Sequence, residues 1–244
     1  MRTVGACGLL AAAALLAVPA LAEPLAEIEY ASPDQSVWTI RSGANGEPGN
    51  PLLRVAEVLF ARAGLPWRAR SYPAVRMFQR LQDGQSQFSM LVRAPALSDC
   101  CILGSKPFTR VEIRAYRRAG TPPLRSREDL AGKSVIVIRG YSYGGLSAYI
   151  NDPAQRITAH TSSGHLSAVR MLDAGRADYL IDYAGPAGEA LEAESVRGVT
   201  SELLSRQEVY LVLSKKTPGA PALMSRLEAI LDTLDVDALL APGR

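Results

Sequence analysis

Histidine and cysteine are scarce in this 244-residue chain, and after residue 22 long apolar runs are missing altogether. The histidines are His160 and His165 alone, and only Cys100 and Cys101 follow residue 22. Two adjacent cysteines without a second ligand pair at zinc spacing make a poor metal set, so neither a metal nor another cofactor is expected. Charge of one sign is lacking too. Beyond Ala22 the chain carries 26 basic and 24 acidic residues, a net of +2, which is no nucleic-acid footprint. No later segment is apolar over the roughly 20 residues that a membrane span needs. A phosphate-binding P-loop and a dinucleotide fingerprint are both absent, and the carboxylates Glu189, Glu192 and Glu194 read as a solvated helix face rather than a glycosidase pair.

What is present describes a soluble globular chain: 48% hydrophobic and 21% charged residues, enough apolar material for one or two cores. The first 22 residues carry Arg2, an apolar Ala/Leu/Val run and then Ala20-Leu21-Ala22. That order predicts a signal peptide cleaved after Ala22 and export to the periplasm, with no membrane insertion afterwards. In that oxidising compartment Cys100 and Cys101 are candidates for a vicinal disulfide, for pairing between molecules, or for buried free thiols.

Asp129–Gly145 anchors the reading. Ser134–Ile138 is β-branched and apolar on both faces, which predicts a strand inside a parallel sheet. Ser126 and Asp129 have capping-box spacing just before it, and Gly132 closes the short helix they open. Tyr141–Gly145 then turns strand into helix, where open α/β sheets place ligands.

Upstream, a strand from Ile28 leads through a loop holding Trp38 to Asn50-Pro51, a cap for a helix with Leu52, Val55, Ala56, Leu59, Phe60 and Ala63 inward. A strand at 67–71, a helix with Val75, Phe78 and Leu81 inward, and a strand at 88–92 follow; the cysteines fall in an irregular segment before a strand at 111–116. Downstream, Ser162 or Ser163 caps a helix with Leu166, Val169 and Leu172 inward. Tyr179–Ile181 is a strand ending at Asp182; a helix at 186–194, two strands at 199–203 and 209–213, and a helix at 221–234 complete the pattern. The fold class is α/β, in two similar halves without a sequence repeat.

The run Asp129-Leu-x-Gly-Lys-x-Val-x-Val, the Ala63-Gly-x-x-Trp67-x-x-Arg70 step, Arg93-x-Pro95, Lys106-Pro-Phe108 and Asp173-Ala-Gly-Arg-Ala-Asp-Tyr179 stand in one order over nearly the whole mature chain. This resembles the bacterial extracellular solute-binding proteins of family 3, the amino-acid-receptor type with a type 2 periplasmic-binding-protein fold. The resemblance implies two lobes that close over a small-molecule ligand, with two hinge crossings near Phe108–Val111 and Glu208–Tyr210. It gives lobe 1 as residues 23–110 and 209–244, and lobe 2 as 111–208. It further implies a monomer working with an ABC permease or a periplasmic sensor.

Relatives that take amino acids hold the α-carboxylate with an Arg, and here that position is Leu97. They hold the α-ammonium with an Asp ending a second-lobe strand, here Asp182 beside Tyr183. Arg93 or Arg76 could replace the missing anion partner, or each is a plain surface arginine, or Arg139 neutralises Asp182 across the loop. Tyr72, Tyr141, Ser142, Tyr143, Tyr183 and Trp38 are further ligand candidates. For the tyrosines the structural alternative is a half-buried ring with a wet hydroxyl. An amino-acid-like, cationic or carboxylate solute is therefore expected, captured for ABC import. The alternative is a receptor-like protein without transport, acting in signalling or in assembly of a periplasmic partner.

Gly140-Tyr-Ser142-Tyr-Gly144 also fits the nucleophile elbow of a serine hydrolase. That mechanism needs a base and an orienting acid, normally in the order Ser, acid, His. No histidine follows Asp182, and His160 and His165 come early, so no enzyme is expected.

Overall fold

The computed structural model describes residues 27–42 and 49–241, so the expected leader, residues 1–22, lies outside them. The first lobe opens with β1 (Ile28–Pro33), α1 (Leu52–Arg62), β2 (Trp67–Tyr72), α2 (Ala74–Asp83), β3 (Phe88–Val92) and β4 (Cys101–Leu103). β1 pairs in parallel with both β2 and β3. Asn50 begins α1 as its spacing predicts, its Oδ1 accepting from Leu52 N–H at 3.0 Å while Pro51 already has helical dihedrals. The buried face of α1 is Leu52, Val55, Ala56, Leu59 and Phe60, and Phe60 stacks on Trp67 with ring centroids 5.5 Å apart.

α2 departs from expectation. Its buried residues are Met77 and Leu81, four apart, while Val75 is 64% exposed. Two residues before Met77, Val75 lies about 200° around the helix, on the side away from the sheet.

The second lobe contains β5 (Thr109–Arg118), β6 (Ser134–Ile138), α3 (Leu146–Ile150), β7 (Thr158–Ser162), α4 (His165–Asp173), β8 (Tyr179–Tyr183) and α5 (Ala184–Ala193). β6 is parallel to β7 and β8 on its two sides, the environment its β-branched run predicts. The capping box of Ser126 and Asp129 is formed, and Gly132 adopts a left-handed φ of 71° after it. α4 starts at Gly164 rather than after a serine cap, and its stripe is His165, Ala168, Val169 and Leu172. The helical period is the expected one, but its first position belongs to His165, and Leu166 is 37% exposed.

A single strand, β9 (Val199–Ser214), runs where two short ones were expected. Its first half pairs with β5, and at Val209 it changes neighbour: Val209 lies opposite Thr109 of β5 and opposite Val92 of β3. One continuous sheet, ordered β2-β1-β3-β9-β5-β8-β6-β7, thus carries both lobes, and β4 adds to β9 in the segment that the sequence left irregular. α6 (Ala220–Leu231) ends before Leu234, because Asp235 caps a separate short helix, α7 (Val236–Leu240), by accepting from Ala238 N–H at 3.0 Å.

Candidate functional site

The ends of β1, β3 and β8 meet β9 at a small apolar cavity of about 60 Å³, whose walls include Trp38, Met90, Val92, Tyr183 and Val209. Tyr183, which lines it, belongs to a cluster of three tyrosines. Tyr141 meets Tyr143 and Tyr183 edge to face, with centroids 5.7 and 5.5 Å apart, and Tyr143 stacks on Tyr183 at 5.6 Å. Gly144 and Gly145, both at positive φ, let the chain turn there, and Tyr143 shares that strained conformation at φ 50°. Its hydroxyl is used locally: Ile138 N–H donates to Tyr143 Oη at 2.7 Å. Burial raises the hydroxyl pKa of Tyr141, Tyr143 and Tyr183, and the neighbouring Asp182 charge adds to each.

Asp182 lies behind this cluster, fully buried. His165 Nδ1 lies 2.7 Å from its Oδ2, and Tyr183 N–H donates to its Oδ1 at 2.8 Å. Burial pushes its carboxyl upward, against the pull of those two partners. Arg139, the neutraliser the sequence offered, is exposed, and His165 has taken that place. The signal missed in the sequence is that His165 and Val169 share a helix stripe facing β8. A histidine in the core-facing phase of an amphipathic helix needs a buried partner.

Arg93 and Arg76 do not share one site. Arg93 is exposed, sits over the Tyr210 ring at 5.0 Å, and has no carboxylate within salt-bridge distance among the described residues. It lines a mouth of about 440 Å³ between the lobes with Ala94, Pro95, Leu103, Gly145 and Gln207. Leu97, at the anchor position, is turned into the core with Leu81, Ala94, Cys101 and Val212. Arg76 is 5.9 Å from the Tyr72 ring, and the Tyr72 hydroxyl donates at 2.9 Å to Glu29, a buried carboxylate of β1. Ser142 has no side-chain hydrogen bond among the described residues.

The loop between β1 and α1 reaches across the lobes. The Tyr141 hydroxyl donates to Gln35 O. Glu189, read as solvated, instead accepts from Thr39 Oγ1 at 2.5 Å and Ile40 N–H at 2.9 Å, with Arg41 at 3.4 Å. Trp38 O packs so closely on Gly185 that a Cβ there would come within 2.2 Å of it. Residues 34–41 therefore form a strap that fastens the first lobe to α5 and the β6 turn.

Cys100 and Cys101 are joined as a vicinal disulfide at the start of β4. His165 Nδ1 and Asp182 Oδ2 have the spacing of a base and its orienting acid. Ser142 Oγ is not hydrogen-bonded to His165, whose Nε2 has no hydrogen-bond partner among the described residues. Among the described residues no group of three or more His, Cys, Asp or Glu could hold a metal ion, and no helix is long and apolar enough to cross a membrane.

No family model matches the sequence, and no curated protein does. Solved structures do match. A histidine kinase sensor domain with similarity to periplasmic binding proteins superposes with a TM-score of 0.72 at 18% identity, covering 89% of this chain and 93% of its own. An ancestral arginine-binding protein, bound to arginine, gives 0.69 at 15% identity over 88% and 94%. The substrate-binding protein of an amino acid ABC transporter gives 0.66 at 11% identity over 88% and 95%. The fold of this chain is the two-lobed, type 2 periplasmic-binding-protein-like fold.

Proposed function

We propose that this chain is a periplasmic solute-binding protein of the family 3 type that takes a small carboxylate with an apolar body between its lobes. The observation that carries the reading is Arg93, a cation with no carboxylate partner among the described residues, at a largely apolar mouth between the lobes. Trp38 and Tyr183 line a separate, small apolar cavity. Arg93 would take the carboxylate bidentately, Gln207 would supply a polar contact from the hinge strand, and the aromatic walls would receive the body. Asp182 plays no direct part in this reading, since His165 already holds it, and an α-ammonium group is not required.

Import through an ABC permease is the role that the resemblance favours. A receptor role without transport, in signalling or in assembly of a partner, is the second reading. The strap favours it, because residues 34–41 already hold the lobes together.

Calorimetric titration against aliphatic and aromatic carboxylates and their amino-acid counterparts tests the site. Arg93→Ala should weaken the best carboxylate by about 1.5–3 kcal/mol, the worth of hydrogen bonds to a charged group, while stability stays within about 0.5 kcal/mol because Arg93 is exposed. Equal affinity in wild type and variant would take Arg93 out of the site. Binding that requires the ammonium group would overturn the proposed ligand class.

A further inference from the structure

The bridge between Cys100 and Cys101 lies within one wall of the mouth at Arg93. Arg93, Ala94, Pro95 and Ser98 line that mouth from before the cysteines and Leu103 from after them, so its first-lobe wall is the stretch 93–103. Cys101 is 4% exposed and packs with Leu81, Ala94, Leu97 and Val212, whereas Cys100 is half-buried and follows the exposed Ser98 and Asp99. The backbone changes character between the two cysteines. Cys101 begins β4 opposite Ser214 of β9, while the carbonyls of Ser98 and Asp99 accept from Lys215 Nζ at 3.3 and 2.9 Å.

What the bridge can do follows from where it closes. A disulfide between neighbours encloses almost no chain, so it takes little entropy from the unfolded state and adds little to global stability. Its effect is local. The small ring that it closes includes the Cys100–Cys101 peptide bond and restricts the dihedrals on both sides of it, which carry the chain from the exposed turn into β4. The reduced state also has a place ready. Cys100 Sγ lies 3.4 Å from Ala96 O and 3.9 Å from Leu97 O, so a thiol there has carbonyl acceptors within reach. In the bridged state the sulfur has no hydrogen to offer them.

We propose that Cys100–Cys101 is a redox site, at which reduction by a dithiol loosens the 93–103 wall and weakens the carboxylate site at Arg93; this second effect rests on the solute-binding reading above. A thiolate of the reductant attacks Cys100 Sγ, on the more exposed of the two residues, the S–S bond breaks, and Cys101 Sγ leaves with the bonding pair. The reductant's second thiolate then attacks its own sulfur in the mixed disulfide and releases Cys100. Two electrons pass to the cysteines, the two protons lost by the reductant's thiols end on Cys100 and Cys101, and the reductant is left as a disulfide. The bridged form is the high-affinity form, because an ordered wall loses less freedom when the solute binds.

Amide hydrogen exchange of the protein, oxidised and then reduced with dithiothreitol, tests the redox site without any solute. Faster exchange over 94–103 is expected on reduction, with the urea midpoint unchanged. Cys100→Ser cannot form the bridge but keeps an O–H for Ala96 O, and should show the reduced pattern whether or not dithiothreitol is present. Titration with phenylacetate and hexanoate, one aromatic and one aliphatic carboxylate, should give at least about fivefold weaker binding in the reduced form. Two free thiols that resist oxidation, a bridge that dithiothreitol does not open in the folded protein, identical exchange in both forms, or unfolding on reduction would each overturn the redox site. Equal carboxylate affinity in both forms would overturn its link to the mouth. No binding of either compound in either form would overturn the carboxylate reading and the link with it, while exchange would still decide the redox site.

Discussion

Glu29→Ala is expected to destabilise the protein by about 3–5 kcal/mol, the cost of stranding partners of a buried charge. Glu29 is 2% exposed on β1. Its Oε1 accepts from Ser86 Oγ at 2.6 Å, Arg80 at 2.8 Å and the Tyr72 hydroxyl at 2.9 Å. Its Oε2 accepts from Arg68 at 3.1 Å, with Arg70 at 3.8 Å. Burial alone would raise its carboxyl, but the bonds from Ser86, Arg80, Tyr72 and Arg68 outweigh that and lower it from 4.5 to about 2. A lowered pKa means that the folded state prefers the charged form. The stabilisation is therefore complete above about pH 4.5, declines as pH falls, and is lost below about pH 2. The pKa difference corresponds to roughly 3 kcal/mol, consistent with the mutational cost.

Urea melts of wild type and variant at pH 7 and pH 3 give the measurement. Glu27→Ala is the control, because its pair with Arg68 is about half exposed and worth at most about 1 kcal/mol. If the deficit of Glu29→Ala stays the same at pH 3 as at pH 7, the loss is one of packing and the carboxylate account fails. The network also explains why Tyr72 turns away from the cleft: its hydroxyl completes the first-lobe carboxylate site.

Much of the frame was legible because it rests on local chemistry. The β-branched run of β6, the Ser126–Asp129 box, the Asn50 cap and the stripe of α1 each follow from residues a few positions apart. The register errors share a different cause. Val75 and Leu166 were placed inward because they are apolar, whereas the sheet took Met77 and His165, the residues in phase with their helices' buried stripes. Arg93 just after β3 and Tyr183 at the end of β8 each line a cavity, and both positions were readable as strand ends. The partnership of His165 with Asp182, and that of Glu189 with residues 39–41, were not legible, since each joins segments that only the tertiary structure brings together. The sequence reads two strands, 199–203 and 209–213, on either side of the polar run Ser205–Glu208. In the structure those residues stay extended, paired with β5 across the passage between lobes.

Gly185→Ala is expected to release the strap. Gly185 lies in the first turn of α5, where alanine is the better helix former, so the helix itself gains by the change. The added methyl, however, would come within 2.2 Å of Trp38 O, a backbone atom that cannot rotate away. The clash can be relieved by moving residues 34–41 off α5, at a cost of about 1–3 kcal/mol for overpacking a tight contact. Trp38 would then leave its cavity, with a red-shifted emission, while Trp67, stacked on Phe60, would not change. Trypsin would cut after Arg41, and small-angle scattering would show a larger radius of gyration. Glu189→Ala removes the strap's contacts at Thr39, Ile40 and Arg41 without any clash, and should move the same observables in the same direction. Unchanged Trp38 emission in both variants would mean that the strap does not hold the lobes.

The same pair of variants separates the two roles. If the strap competes with the carboxylate, freeing it enlarges the binding-competent fraction, and the apparent affinity rises by that factor. If the strapped shape is itself what a partner recognises, freeing it weakens the partner complex and leaves carboxylate affinity unchanged. A gain in solute affinity therefore argues for a transport receptor whose strap is a gate, and a loss of partner binding alone argues for a receptor that works closed.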